Sequence, residues 1–455
     1  MLKRARWPAD TARLAFAIAS EQRALLRSTI WSLVLRILGM LATFAFGVQV
    51  ARILGPGGFG TYGLVLAIAL LLSVVAQFGL HTVGTREISI ALANQRWREL
   101  RGYVYAFFNL VLCFSLALAA LWGLICISFP GLLGPVSPNL AGTMLVPLFA
   151  LTVFVSAALR ALDHIVIGQS LETFVRPILT VVLLCGVLIA GVALTPAFAV
   201  AIMVVAAAIA LILGIVGLRN AIPSPARRGT KSSPRGWIRP AFRLTVVDLL
   251  KQVDATSGLL LLGALSIDAE VGYFRVALST VILVSTPISI LNVVLAPSLA
   301  RFYSNRDFEK LQQIMLLASV AMFLPSIAAF FLIAAVGKPL IVYLFGAQYA
   351  ASWIPLLLLT AAQVVNGFFG VGWVFLSMSG GERALTRAYG FSVAVSVMIA
   401  APLAMIAGAI GVSIASVVGA LVQNLILWRA VRTHSNLDSS AAALFWRPRF
   451  SSSRS

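Results

Sequence analysis

The amino-acid sequence predicts an all-α polytopic membrane protein of about twelve transmembrane helices in two six-helix lobes. Three observations carry that expectation. Of the 455 residues, 60% are hydrophobic and only 11% charged, with a mean hydropathy of +1.00, whereas an average soluble domain is about 25% charged. Twelve apolar stretches approach or exceed the ~20 residues that a helix needs to cross about 30 Å of hydrocarbon. A segment rich in Pro, Ser and Arg, residues 219–241, divides six of these stretches from the other six. Such a composition excludes an ordinary soluble enzyme and a disordered chain alike.

In chain order, residues 1–28 are basic. Within residues 10–27, Arg13, Glu21, Arg23 and Arg27 stand among Leu14, Phe16, Ile18, Leu25 and Leu26, a weak amphipathic pattern that suits a membrane interface and equally a frayed basic tail. The apolar run after it is too long for a signal-peptide core, so the first helix is expected to stay. The first lobe, residues 29–218, takes spans at 29–53, 61–80, 103–128, 140–162, 177–194 and 197–218. Between the first two lies Gly55-Pro56-Gly57-Gly58, where a fixed proline φ and glycines tolerant of positive φ predict a tight reversal. Residues 81–89 (HTVGTREIS) read as a loop, and residues 129–139 as a short loop without an ionisable side chain. After the linker, the second lobe, residues 242–430, takes spans at 242–264, 273–296, 311–336, 353–379, 388–407 and 409–428, with a tail at 431–455. Pro147, Pro287, Pro325, Pro355 and Pro402 are expected to interrupt helix hydrogen bonding and permit bending.

Lysine and arginine are divided unevenly between the two sides. Assigning each to its connecting segment puts 29 on one side: in the N-terminal segment, at 86–101, at Arg160 and Arg176, in the linker region, at 301–310, at Arg383 and Arg387, and in the tail. The opposite loops hold Arg52 and Lys338. Positive charge in short loops resists translocation, so both termini are expected on the cytoplasmic side of a bacterial inner membrane. Most of the net charge of +20 is then topological, and nucleic acid is not an expected partner.

Offsetting the second half by 212 residues aligns Gly60-Thr61-Tyr62 with Gly272-Tyr273-Phe274 and Arg98 with Lys310, and sets the Gly55–Gly58 turn beside Ser266-Ile267-Asp268-Ala269. With six spans each, the halves start on the same side, as parallel repeats about an axis along the membrane normal, the layout of a two-bundle transporter. The stretch Val50–Ser89 also carries a resemblance. Its turn, Ala51-Arg52-Ile53-Leu54-Gly55-Pro56-Gly57-Gly58-Phe59-Gly60-Thr61-Tyr62, with the apolar helix and the Gly79-Leu80…Arg86 segment after it, resembles the ARxLGPxxFGxY region of polysaccharide-unit (Wzx-type) flippases. These belong to the polysaccharide biosynthesis and transport branch of the multidrug/oligosaccharidyl-lipid/polysaccharide exporter superfamily. The resemblance implies a non-enzymatic secondary transporter. Its cargo would be an undecaprenyl-pyrophosphate-linked oligosaccharide for O-antigen, exopolysaccharide or capsule, moved from inner to outer leaflet by alternating access. It implies as partners the lipid-linked oligosaccharide, membrane lipids, and the polysaccharide polymerase and chain-length proteins. A lipid II-type or other polyprenyl-lipid flippase and a multidrug exporter of the same superfamily are the alternatives.

Ionisable side chains within spans cost about 2.5–3.5 kcal/mol each near the helix centre and therefore call for a reason. In the seventh span Asp248, Lys251 and Asp254 have an i, i+3, i+6 spacing that places them on one face, with Lys251 about 14 Å and Asp254 about 18 Å from the cytoplasmic end. Arg36, about 10 Å into the first span, is level with Asp248 under the 212-residue offset. If the first and seventh helices face one another, Arg36 and the triad line one central cavity. Arg52 and Arg275 lie toward the outer ends, where they join that cavity or contact headgroups. The substrate-binding candidates are thus Arg36, Lys251, Arg52 and Arg275, a cationic set suited to pyrophosphate oxygens. The ion-coupling candidates are Asp254 and, second, Asp248, set against the other reading of the triad as a self-neutralising ladder that holds the bundle. Gln49, Gln77, Asn109, Asn292, Gln363, Asn366 and Asn424 either meet sugar hydroxyls or join helices. Cys113, Cys126 and Cys185 lack CxxC spacing, His81, His164 and His434 are scattered, and the chain has no GxxxxGK[ST], so no catalytic residue, metal site or cofactor is expected.

Overall fold

A computed structural model describes residues 9–131, 134–224, 237–265 and 268–444, and in the first helix the side chains from Trp31 onward. The amphipathic pattern at residues 10–27, part of the linker (225–236), part of the second outer turn (266–267) and the last residues (445–455) lie outside what is described.

The first helix, α1 (Ala9–Gln77), has 69 residues and would be ~100 Å long if straight, about three times the hydrocarbon thickness. It is not straight. Gly55 (φ 70°, ψ 177°) breaks it, and Phe46 and Tyr62, on either side of the break, bring their rings within 6.1 Å. The two limbs therefore run antiparallel. The expected four-residue turn contracts to one residue, because Gly55 alone takes positive φ while Pro56, Gly57 and Gly58 already belong to the second limb. Proline fits there, since the first helical N–H has no intrahelical acceptor.

A second elbow at Phe78 (φ 45°) and Gly79 (φ 63°) leads into α2 (Leu80–Ala93). This corrects the reading of HTVGTREIS as a loop. Leu80, Val83, Ile88 and Ala91 recur at helical spacing and are buried, and the charges at Arg86 and Glu87 masked that period. After α3 (Trp97–Ser128), the fourth crossing is made by α4 (Val136–Thr143) with α5 (Leu145–Ala161). The fifth is made by α6 (Ile165–Ser170), a π turn (Leu171–Val175) and α7 (Arg176–Ile189). It thus begins some twelve residues before the expected start at residue 177, and Arg176 is not in a connecting segment. Thr195 caps α8 (Pro196–Ala221), its hydroxyl accepting from the Phe198 N–H at 3.3 Å.

The second half comprises α9 (Ile238–Ala264), α10 (Asp268–Ser304), α11 (Phe308–Phe345), a short 3₁₀ turn (Ala347–Ser352), α12 (Trp353–Phe369), α13 (Gly372–Met378) and α14 (Glu382–Ser435). Like α1, α14 folds back, here at Gly408 (φ 52°), and the Ser392 hydroxyl donates to the Gly419 carbonyl across its two limbs at 3.0 Å. Among the described residues nine helical stretches are long and apolar enough to cross a membrane. Two of them are the folded-back pairs, and α9, whose charges exclude it from that criterion, supplies one more, so the crossings number twelve. Pro287, Pro325 and Pro402 stand inside helices. Pro147 and Pro355 fall in the first turns of α5 and α12, where a missing N–H breaks no helix bond, so these two are helix starts and not kinks.

One apolar cluster gathers Leu80, Leu100, Phe107, Phe154 and Leu159 in the first half, and another gathers Leu299, Met315, Phe375 and Val431 in the second. A third, running from Phe46, Phe59 and Tyr62 to Phe274, Tyr349 and Val412, joins them. At the Gly55 end the halves are tied by polar contacts. The Arg52 guanidinium donates to the carbonyls of Leu344 (2.6 Å) and Tyr343, and the Tyr349 hydroxyl donates to the Ala51 carbonyl at 2.9 Å. Within the second half, Glu270 accepts from the Ala409 N–H at 2.7 Å beside the Gly408 break. At the opposite end, Phe78 meets Phe242 (6.3 Å) and Trp237 meets Phe107 (5.5 Å).

Beyond α14 the chain does not trail away. Asn436 (φ 54°) turns it back, and Leu437, Ser439 and Ser440 are buried. The Asp438 carboxylate accepts from Trp428 Nε1 (2.9 Å), the Ser440 N–H (2.9 Å) and the Ser440 hydroxyl (2.6 Å), while the Gln312 amide brackets the Asp438 backbone with two 2.8 Å bonds. Ser319, two turns deeper on α11, donates to the Ser439 carbonyl at 2.6 Å. Residues 437–444 are therefore part of the second half and not a free tail.

Candidate functional site

A partly open cavity of about 380 Å³ lies among both limbs of α1, α5, the π turn with the start of α7, α8 and α10. Arg36, Arg176 and Arg275 line it, and Glu172 is its single carboxylate.

Local packing explains the convergence. Gly39, one turn beyond Arg36, lies so close to the π turn that a Cβ there would stand 1.5 Å from the Thr173 carbonyl oxygen. A glycine lets the two backbones meet, which brings Glu172 and Arg176 against the first limb of α1. The Arg176 guanidinium carbon lies 4.7 Å from the centroid of the Phe149 ring, a cation–π contact. Arg275 enters from the second half along Gly63, and its Nε is buried without a hydrogen-bond partner. Tyr62 is buried and within electrostatic reach of both Arg275 and Arg176. Three guanidinium groups beside one carboxylate, walled by Phe46, Phe59, Phe149 and Leu66, favour an anion with several oxygens in a site where water screens poorly.

Of the residues singled out in the sequence, Arg36 and Arg275 are brought together here, with Arg275 turned inward and not toward headgroups. Arg52 is elsewhere, its donors on the α11 carbonyls. The shared-face triad does not act as one group, and it does not line the Arg36 cavity. The Lys251 ammonium lies over Trp373 (5.7 Å) and Tyr389 (5.8 Å). Asp254 is beside Ser392 and Tyr389. Asp248 reaches His81 of the first half, 3.6 Å from its Nε2. Among the described residues no ion pair joins Asp248 or Asp254 to Lys251, so the ladder alternative is not what holds the bundle. Asn424 donates to Asn366 (2.8 Å) and Asn366 to Gln363 (3.2 Å), so these amides join α14 to α12. Sequence reading missed Arg176 and Glu172 because an apolarity window stops at charges. Their i, i+4 spacing ahead of Pro177 was the available signal.

Residues 25–303, more than half of the chain, match the family model described as polysaccharide biosynthesis protein. No curated protein matches by sequence. Solved structures match across nearly the whole length. An inward-facing multidrug-resistance MATE family transporter of the MOP superfamily aligns with a TM-score of 0.71 and 16% identity, over 90% of this chain and 98% of the other. The lipid II flippase MurJ in an inward closed conformation aligns with a TM-score of 0.66 and 14% identity, over 90% and 87%. A MOP superfamily transporter from Pyrococcus furiosus, described as having a binding pocket of reverse polarity, aligns with a TM-score of 0.62 and 15% identity, over 90% and 95%. At such identities the likeness is one of fold.

Proposed function

The chain belongs to the polysaccharide biosynthesis protein family, and on that premise we propose that it moves an undecaprenyl-pyrophosphate-linked oligosaccharide from the inner to the outer leaflet by alternating access. The observation that carries this reading is the cavity with Arg36, Arg176 and Arg275 around one carboxylate. A diphosphate offers the charge and the acceptor oxygens that such donors pair with. At about 380 Å³ the cavity is at the small end of ligand pockets, which span roughly 300–1,000 Å³, so it receives the diphosphate head while the sugars extend beyond it. Lys251, between Trp373 and Tyr389, is the contact we assign to the second half. Arg52 holds the Gly55 end shut, the cationic termini lie in the cytoplasm, and a polymerase and chain-length proteins take over on the opposite side once the cargo has crossed. Transport is secondary, driven through an intramembrane carboxylate, Asp254 or Asp248. A lipid II-type flippase shares this chemistry, whereas an exporter of cationic drugs calls for the opposite sign in the cavity.

Flipping of a fluorescent undecaprenyl-diphosphate saccharide in proteoliposomes tests the reading. Arg176→Gln and Arg275→Gln are each expected to slow it by about 10-fold or more, the loss of a charge-assisted hydrogen bond worth about 1.5–3 kcal/mol. Arg275→Lys should retain part of the rate. Wild-type rates in both glutamine variants would end the proposal, and transport of a cationic dye in place of the saccharide would favour the exporter.

A further inference from the structure

The contact between His81 and Asp248 is used neither by the cargo cavity nor by the apolar cores. His81 is in the first turn of α2, directly after the Phe78-Gly79 elbow, and Asp248 is in the middle of α9. Their side chains are 22% and 29% exposed, and Nε2 stands 3.6 Å from the carboxylate. That separation is within ion-pair range but longer than the 2.7–3.2 Å of a hydrogen bond, so the contact gains most when the imidazole is charged. The other ring nitrogen, Nδ1, is buried with no partner. The elbow itself is seated on α9, with Gly79 so near Ala241 that a Cβ would stand 2.5 Å from its carbonyl oxygen.

The charged groups that act on His81 come from three neighbouring elements: Asp248 and Lys251 on α9, Glu172 on the π turn and Arg160 at the end of α5. Two carboxylates and two cations balance, so one proton on the imidazole decides the local sign. Glu172 belongs also to the cargo cavity. An anion held by Arg36, Arg176 and Arg275 and a proton held by His81 therefore act on the same carboxylate, and each alters the affinity of the other by the same factor.

We propose that His81 and Asp248 form a proton-binding site that couples the proton gradient to movement of the two halves. The imidazole takes one proton from water, the imidazolium closes on Asp248 and pins the elbow to α9, and release of that proton to water frees it. No other bond is made or broken. The inference rests on the transporter reading and refines it, choosing the proton as the coupling ion and His81 with Asp248, ahead of Asp254, as its site.

Two measurements on the full chain separate this inference from that reading. The first is the pH titration of labelled histidine by NMR in purified protein, tractable with three histidines and assigned through His81→Gln. Asp248→Asn should move the His81 midpoint down by about one pH unit, the effect of deleting a nearby opposite charge, and Asp248→Glu should restore part of it. An unmoved midpoint overturns the site. The second is the ratio of flipping rates with and without an imposed pH gradient, which should fall toward one in His81→Gln. A ratio as large as that of the wild type in this variant also overturns it. If the wild-type protein flips no saccharide, the transport reading fails, while the titration still decides whether the pair binds a proton.

Discussion

Arg52 and Arg275 are the same residue type near the same end of the bundle, and their surroundings give them different work. The last carbonyls of a helix lack intrahelical donors, and Arg52 supplies them to Tyr343 and Leu344 at the end of α11. Arg275 has a buried Nε with no protein acceptor and faces the cavity. A satisfied guanidinium holds structure, and an unsatisfied one is available to a ligand. Arg52→Ala should accordingly lower thermal stability, by about 1 kcal/mol for an exposed hydrogen-bonded contact, and should weaken saccharide binding less than Arg275→Gln does. Differential scanning fluorimetry alongside a binding titration checks this. An unshifted melting temperature with affinity lost as for Arg275→Gln would place Arg52 at the cargo.

Among elements, the π turn and the folded-in C-terminal strap each place residues that span counting assigned to loops or tails. A π turn adds a residue to the helical repeat and rotates the helix beyond it, and here it places Glu172 and Arg176 in one wall with Thr173 against Gly39. The strap, residues 437–444, binds through Asp438 to Trp428, Gln312 and Ser440. Asp438→Ala leaves several buried donors without an acceptor, at a cost of about 1–3 kcal/mol, and removal of residues 436–455 takes away the whole contact. Both variants should unfold at a lower temperature than the wild type, with the truncation more affected. A truncated chain that melts with the wild type would reduce the strap to an appendage.

For the whole molecule, the charge asymmetry between connecting segments predicts one orientation. Ala269 and Asn305 are exposed at opposite ends of the same helix region, beside the start and the end of α10. In a background without Cys113, Cys126 and Cys185, Ala269→Cys should react with an impermeant maleimide in intact cells, and Asn305→Cys should react only after lysis. The reverse pattern would invert the molecule and with it the direction assigned to transport. The halves touch at both ends, through Arg52 and Tyr349 at one and through Phe78, Gly79 and His81 at the other, so any movement between them breaks a defined set of polar contacts.

Span number and the presence of cations in the bilayer were both legible in the sequence. The bilayer imposes length and apolarity on each helix separately, and both are local properties of the chain. The reversal at Gly55 was legible for the same reason. Which charges share a site was not. Counting residues along a helix gives the depth of Lys251, Asp254 or Arg36, but not which neighbour each one faces, because that angle is set by packing. Contacts such as Gly39 on Thr173, Gly63 along Arg275 and Gly79 on Ala241 decided that Arg36 meets Arg176 and Arg275, that Lys251 turns to Trp373 and Tyr389, and that Asp248 finds a histidine from the other half. These pairings join residues far apart in the chain, and only the folded bundle brings them within reach of one another.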